Sequence, residues 1–180
     1  MKKETTLNVL KEIRDILKSK ELVTLSVAQL QNNEVAVDFP ELTAEEIMNS
    51  CDNKVAGGKL LYNTDWYKKE DFFTKEKTRK GRRIIAKKLL HKGKSWNQCA
   101  EIAKKEDKEM LNFAEVVYLI KENKDFRKLI TDWNYTWTSS RRSDGRLVNV
   151  GSFRSGEASV NGWTPGYSDS GLGVCFSRSE

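Results

Sequence analysis

The single histidine and the three cysteines are the residues best suited to acid–base or nucleophilic chemistry. General acid–base catalysis needs a base positioned in a cleft, whereas His91 lies in a basic stretch and is interpreted as a solvated or helix-capping side chain. Cys51, Cys99 and Cys175 are an odd number without a Cys-x-x-Cys pair, so they indicate neither a disulfide framework nor a thiolate zinc site. The sequence therefore predicts a non-enzymatic protein that needs no metal or cofactor.

Two further patterns could have indicated ion or phosphate binding. Asp144 and Asp169 are single acids in loops rich in Ser and Gly, and neither belongs to an Asp-x-Asp/Asn-x-Asp/Asn-Gly calcium loop. The pair Gly171 and Gly173 lacks the third glycine and the following helix of a phosphate-binding loop. We therefore interpret these residues as turn and strand positions.

Positive charge is concentrated in one stretch of the chain. Residues 68–94 carry 12 Lys or Arg and 3 Asp or Glu, a net charge of +9 that exceeds the +6 of the whole chain. We interpret the stretch as a helix at 76–91 with a solvated cationic face, and phosphate contact is the alternative because cation clusters are typical of nucleic-acid binding. The cations of this alternative, which uses the basic segment 75–94, are Lys75, Lys77, Arg79, Lys80, Arg82, Arg83, Lys87 and Lys88.

The first third of the chain contains patterns of one helix, a hairpin and a second helix start. Apolar residues at helical spacing predict an amphipathic helix over 4–19. Alternating apolar residues predict hairpin strands over 23–27 and 35–39, closed by Pro40. Thr43 and Glu46 have the spacing of a capping box. The Gly57–Gly58 pair marks a turn and a domain boundary.

Helices are expected at 76–91, 96–105 and 113–123. Gly93 follows the first as a C-terminal cap. Ser95 and Asn112 each precede a Gln or Glu by three residues, the spacing at which a polar cap and a helical side chain satisfy each other's backbone N–H groups. These two positions are the best-supported helix starts in the sequence.

Beyond residue 132 the composition changes to Ser, Gly and Trp with short apolar runs. The runs at 146–150, 158–160 and 172–176 predict strands, separated by Asp-Gly, Ser-Gly and Pro-Gly turn signals. Trp133, Trp137 and Trp163 are expected in the core, because exposed indoles reduce solubility. Helices first and irregular strands afterwards indicate an α+β fold.

From about residue 94 the chain resembles the C-type-lectin-like fold in its formylglycine-generating-enzyme branch. The resemblance is carried by the Trp-led helix 96–105, by Leu-Asn-Phe-Ala-Glu-Val at 111–116, and by Thr-Trp-Thr-Ser-Ser at 136–140. Asn112 stands where that branch has Pro, and Val116 where it has Trp. The catalytic cysteine pair of those enzymes is absent, because only Cys175 lies in the tail. The resemblance therefore implies the fold of this branch without its activity.

The tail is similar to the C terminus of variable proteins of diversity-generating retroelements, found in archaea, bacteria and their viruses. The resemblance is carried by a frame with gaps, which reads Asp-Gly-Arg-Leu-Val-x-Val-Gly-x-Phe at 144–153, Ser-Val-x-x-Trp-x-Pro at 159–165 and Leu-Gly-Val-x-Phe-Ser-Arg at 172–178. In that family a reverse transcriptase misreads template adenines and rewrites the end of the variable gene. The resemblance implies a hypervariable ligand-binding surface carried by a constant frame. The implied ligand-binding positions are Arg142, Asn149, Ser152, Arg154, Ser155, Gly156, Asn161, Gly162, Thr164, Gly166, Tyr167, Ser168, Asp169 and Cys175.

These observations together predict an α+β protein with an N-terminal helix and hairpin extension at 1–55 and a C-type-lectin-like domain at 56–180. The region 141–175 is expected to bind a macromolecular ligand, with protein as the first expectation, and the alternative is nucleic-acid binding through the basic segment 75–94. No signal peptide or membrane-spanning segment is recognisable, which favours a cytoplasmic or virion-associated protein.

Overall fold

The computed structural model describes residues 33–55, 58–62, 65–131, 133–152 and 158–179. The helix expected at 4–19 and the strand expected at 23–27 lie outside these ranges. Val35–Glu180 form one compact unit. Phe39, Ile47 and Met48 belong to its main apolar core together with Phe113 and Val150. Residues 35–55, assigned from sequence to the extension, therefore help to build this core.

The described chain contains both helices and strands, which confirms the α+β class. The helices are α1 (Ala44–Asn49), α2 (Asp71–Thr74), α3 (Trp96–Lys105), α4 (Phe113–Glu122) and α5 (Lys124–Thr131), with a 3₁₀ helix at Asp65–Lys69. The strands are β1 (Glu34–Phe39), β2 (Lys54–Val55), β3 (Gly58–Lys59), β4 (Gly81–Ala86), β5 (Glu109–Met110), β6 (Asn134–Arg141), β7 (Leu147–Ser152), β8 (Ser159–Trp163), β9 (Leu172–Val174) and β10 (Phe176–Ser179).

Two four-stranded sheets organise the unit. The first has the order β1-β4-β10-β5, and the second, which carries the tail, has the order β8-β7-β6-β9. In the second sheet β6, β7 and β8 pair antiparallel, whereas β9 pairs with β6 in parallel. The strands predicted at 146–150, 158–160 and 172–176 are all confirmed, and the last of them divides between β9 and β10.

Apolar side chains cover both faces of the second sheet. Val148 and Val150 face the core formed with α1, α4 and α5, while Leu147 faces a second core formed with α3. All six residues of β7 are consequently buried. The predicted frame is confirmed at the buried residues Leu147, Val148, Val150, Val160, Val174 and Phe176.

Three predicted helix starts are confirmed in detail. Thr43, Ser95 and Asn112 each accept a hydrogen bond from the backbone N–H three residues later, and the Glu or Gln at that position accepts from the cap residue's own N–H. These reciprocal bonds satisfy N–H groups that the helix itself leaves without partners.

The helix predicted over 76–91 is wrong, because residues 81–86 form the central strand β4. Ile84 and Ile85 are buried, and β4 pairs with β10. Gly81 adopts φ of +116°, a conformation that breaks a helix at this point. Long-range pairing with the C terminus therefore overrides the local helical pattern. Among the described helices, none is long and apolar enough to cross a membrane.

Candidate functional site

Edge strand β8 and the loop that follows it present most of the exposed residues among the predicted ligand-binding positions. The loop at 164–171 connects β8 to β9, the two outer strands of the sheet. Asn161 and Trp163 lie two residues apart on β8 and point to the same face. We call the following residues the C-terminal surface: Trp133, Asn161, Trp163, Thr164, Gly166, Tyr167, Ser168 and Asp169.

Backbone hydrogen bonds hold the loop in place. Tyr167 N donates to Thr164 O over 3.0 Å, and Asn97 N at the start of α3 donates to Pro165 O over 3.3 Å. Asp169 Oδ1 accepts from Gly171 N over 2.8 Å, which closes a turn. Because the loop is held at several points, its backbone has little conformational freedom to lose on binding.

Aromatic rings connect the loop to the buried core. Tyr167 is 41% exposed, and its ring centroid lies 4.7 Å from that of Trp163. Trp163 in turn lies 5.3 Å from Tyr135 and 6.1 Å from the fully buried Trp137. The Trp137 indole N–H donates to Lys94 O over 3.2 Å, which anchors the innermost ring.

The prediction that Trp133 lies in the core is wrong, because its side chain is 64% exposed. Its backbone adjoins the loop, since a Cβ atom on Gly171 would lie 3.0 Å from Trp133 O. The signal available in the sequence was its position between the polar residues Asp132 and Asn134. Trp133 is thus a second exposed aromatic residue whose backbone adjoins the loop at 164–171.

Three predicted ligand-binding residues are buried, which contradicts their expected exposure. Asn149 and Ser152 lie in β7, whose two faces are both covered, and Cys175 lies between β9 and β10. Burial raises the pKa of the Cys175 thiol to about 12. Both amide atoms of Asn149 lack a hydrogen-bond partner within the described residues. Arg154, Ser155 and Gly156 lie outside the described residues.

Arg142 and Gly162 form a separate pair on the other face of the sheet. Gly162 lies between Asn161 and Trp163 on β8, so it faces away from them. A Cβ atom there would lie 2.4 Å from Arg142 Cδ, which shows that the arginine passes directly over the glycine. The guanidinium then lies 4.3 Å from the Trp66 ring centroid. These two positions therefore do not share a face with the C-terminal surface.

Comparisons with protein-family models, with curated proteins and with solved structures find no match for this chain. The choice of site consequently depends on the exposure and geometry of the described side chains.

The basic segment is largely neutralised by acidic neighbours. The buried carboxylate of Glu115 accepts from Arg79 Nη2 at 2.6 Å, and Glu109 pairs with Arg79 and Arg83. Five of the eight cations of the nucleic-acid alternative lie within 4.0 Å of a carboxylate oxygen, namely Lys75, Lys77, Arg79, Arg82 and Arg83. Lys80, Lys87 and Lys88 are exposed and form no ion pair with the rest of the described chain.

The groups that could carry out chemistry are dispersed or buried. His91 follows β4 with a φ of 52°, so it is not part of a helix, and its ring lies 5.7 Å from Phe176. Burial raises the pKa of the Cys99 thiol to about 11, which keeps it protonated at neutral pH. Within the described ranges, no group of three His, Cys, Asp or Glu residues is arranged to hold a metal ion.

Proposed function

We propose that the protein is a non-enzymatic, receptor- or adhesin-like binding protein whose C-terminal surface recognises a protein ligand. The observation that carries the proposal is the position of two exposed aromatic side chains, Trp133 and Tyr167, beside one hydrogen-bonded loop. Small polar residues, Thr164, Ser168 and Asp169, are exposed in the same loop. Rigid aromatic anchors surrounded by adaptable Ser, Gly and Asn residues are typical of protein-binding surfaces such as antibody paratopes.

The backbone of Trp133 supports a functional role for this residue. Trp133 has φ of 57°, whereas the other described non-glycine residues with positive φ are Asp52, Asn53, His91 and Asp107. Asp, Asn and His are enriched in this left-handed region, while a bulky aromatic residue is unusual there. An exposed tryptophan in an unfavourable conformation contributes little to folding, so binding is the better explanation for its presence.

We further propose a C-type-lectin-like fold and membership of the retroelement variable proteins of prokaryotes and their viruses. In support, the helices α3 and α4 start at the residues of the resemblance, and irregular short strands follow them. A reverse-transcriptase gene beside the coding sequence, with a near-repeat of its 3′ end that differs mainly at adenines, tests this proposal. A single-copy gene without such a neighbour contradicts it.

The binding proposal is tested by panning a random peptide library displayed on phage against the full protein. Enriched peptides are then synthesised and measured against variants of the two exposed rings, Trp133→Gly and Tyr167→Ala. We expect each variant to weaken binding at least five-fold, since aromatic anchors typically contribute more than about 1 kcal/mol.

Tyr62→Ala provides the matched control, because Tyr62 is 48% exposed and lies outside the C-terminal surface. It should bind the selected peptides as the wild type does. Peptides that bind equally well to all variants, or a library that yields no specific binder, would contradict the proposal.

Nucleic acid remains the second candidate, through the exposed Lys80, Lys87 and Lys88. Phosphate contacts release counterions and give a steep dependence of affinity on salt. We expect weak, sequence-independent association at physiological salt, measured by fluorescence anisotropy. Nanomolar binding that is lost in a triple Lys→Glu variant at these positions would favour this candidate over protein recognition.

A further inference from the structure

The amide of Asn149 is the least satisfied buried group in the described part of the chain. Asn149 is 0% exposed, and neither its Nδ2 nor its Oδ1 has a hydrogen-bond partner. Within the described residues, the only other buried side-chain atom in this condition is Nε of Arg142. A buried amide without partners opposes folding, so its presence in a strand whose six residues are all buried calls for a reason other than stability.

Aromatic rings from the two neighbouring strands close over this amide. Asn149 pairs with Trp137 on β6 and with Asn161 on β8, while Trp163 pairs with Leu147, two residues earlier on β7. Tyr135 pairs with Gly151, two residues later on β7. Since Trp163 and Tyr135 nevertheless lie 5.3 Å apart, their rings must meet above β7 at the level of Asn149.

Gly151 makes room for this closure. A Cβ atom on Gly151 would lie 2.0 Å from Asn134 O and 2.8 Å from Tyr135 Cδ1, so both the β6 backbone and the tyrosine ring lie directly against the glycine. Asn149 and Gly151 share one face of β7, because they are two residues apart. On that face, the polar side chain of Asn149 therefore lies beneath the aromatic rings of Tyr135 and Trp163.

Of the two rings that cover Asn149, the ring of Trp163 lies at the edge of the sheet. Trp163 is the last residue of edge strand β8, and it is only half-buried. Its outer neighbour is the exposed ring of Tyr167, which belongs to a surface loop. Tyr135 and Trp137, by contrast, lie on the central strand β6 and are buried. Rotation of Trp163 toward solvent would thus expose Asn149 and leave the inner rings in place.

We propose that Asn149, covered by Trp163, is a recognition site for the primary carboxamide of a Gln or Asn side chain presented by the protein ligand. The inference rests on the proposed function, since the opening lies within the C-terminal surface. A carboxamide carries a donor and an acceptor on one edge, so two of them can pair through two hydrogen bonds. A trans peptide group points its N–H and C=O in opposite directions and cannot pair in this way. The flanking rings offer flat apolar faces to the inserted amide plane.

The stability of Asn149→Leu tests whether the amide is unsatisfied in the free protein. Leu has nearly the same shape and needs no partner, so we expect the Tm to rise by roughly 2–4 °C. Thr138→Val is the matched control, because Thr138 is equally buried but its hydroxyl donates to Val148 O over 2.8 Å. Its Tm should fall. A lower Tm for Asn149→Leu would show that the free fold satisfies the amide, and would overturn the proposal.

The binding test uses the side-chain amide resonance of Asn149 in a ¹⁵N-labelled full-length protein. The probes are acetyl-Gly-Gln-Gly-N-methylamide, in which the Gln side chain is the only primary carboxamide, its isosteric Glu counterpart and adenosine. The Gln peptide should shift the Asn149 resonance and quench tryptophan fluorescence, and both effects should be lost in Asn149→Leu. No shift, or equal shifts with the Gln and Glu peptides, would overturn the proposal. A shift with adenosine alone would overturn it in favour of a nucleobase, whose edge also carries a donor beside an acceptor.

The phage-selected peptides separate this inference from the proposed function. If Tyr167→Ala weakens their binding and Asn149→Leu does not, the C-terminal surface stands and the carboxamide site is wrong. If both variants weaken binding, and the selected peptides carry a Gln or Asn whose replacement by Glu or Asp abolishes it, the two proposals hold together. If neither variant weakens binding, both fail.

Discussion

The ring of Tyr167 packs against that of Trp163 with centroids 4.7 Å apart and planes inclined by 47°. The contact joins a residue of the surface loop to the end of an edge strand. Through Trp163 it continues to Tyr135 and to the buried Trp137. An exposed aromatic side chain is in this way supported by the core, which limits the conformational freedom that it would lose on binding.

The exposed Trp133 should be dispensable for folding. Trp133→Gly removes a ring that is 64% exposed and replaces a residue at φ of 57° by the one that best tolerates this conformation. We expect the free energy of unfolding, measured by urea denaturation, to change by less than about 1 kcal/mol, because relief of strain and the greater entropy of the unfolded chain oppose each other. A loss of several kcal/mol would show that Trp133 is a structural residue.

The two tryptophans of the second sheet should differ in their contribution to stability. Trp137→Ala empties a fully buried site and removes the bond to Lys94 O, so we expect a loss of about 3–5 kcal/mol. Trp163→Ala removes a half-buried ring and should reduce stability by about 1–2 kcal/mol. Equal losses in thermal or urea unfolding would contradict the view that Trp163 is a movable cover.

Local patterns predicted the elements that depend on local interactions. The caps at Thr43, Ser95 and Asn112 were predictable, because a capping box needs only residues three positions apart. Strand β4 was not, since its place is set by pairing with β10 almost a hundred residues later. Helix α5 at Lys124–Thr131 was also missed, and it packs on α4 through Phe126 and Ile130.

The buried ion pair of Arg79 and Glu115 should be important for stability. Glu115 is fully buried and accepts from Arg79 Nε at 2.7 Å and from Nη2 at 2.6 Å. Arg79→Met leaves this charge without its main partner, and we expect a loss of about 3 kcal/mol. Lys75→Met is the control, because the Lys75–Asp71 pair is largely exposed and should contribute less than about 0.5 kcal/mol. Equal losses of unfolding free energy for Arg79→Met and Lys75→Met, measured by urea denaturation, would contradict this prediction.

Glu76 should make stability depend on pH. Burial raises the pKa of Glu76, while the Ser140 hydroxyl that donates to it opposes the shift. Because the folded pKa exceeds the unfolded one, this residue's contribution is fully present below the ordinary pKa of a glutamic acid and is lost as pH rises through the folded pKa. Glu76→Gln mimics the protonated acid, so its Tm should exceed that of the wild type at neutral pH and match it in acid. If the curves of Tm against pH ran parallel for the wild type and Glu76→Gln, the raised pKa of Glu76 would be contradicted.

The candidate site was predicted in part, and the errors concern residues whose exposure depends on tertiary structure. Asn149 lies on the face of β7 that packs against α3, and Ser152 lies on the opposite face beside Val148 and Val150, so both side chains are buried. A strand pattern cannot reveal whether a second layer covers its polar face. The exposure of Trp133 likewise depends on a left-handed backbone at the α5–β6 junction, which residue type alone argues against.

The most direct test of ligand binding at the C-terminal surface is the Kd of a phage-selected peptide for two variants with matched exposed tyrosines, measured by isothermal titration calorimetry. Tyr167 and Tyr62 are 41% and 48% exposed, so each alanine substitution removes a ring of similar accessibility. We predict that Tyr167→Ala raises the Kd at least five-fold and that Tyr62→Ala leaves it unchanged. Equal Kd values for the wild type and Tyr167→Ala, or a larger effect from Tyr62→Ala, would contradict the account.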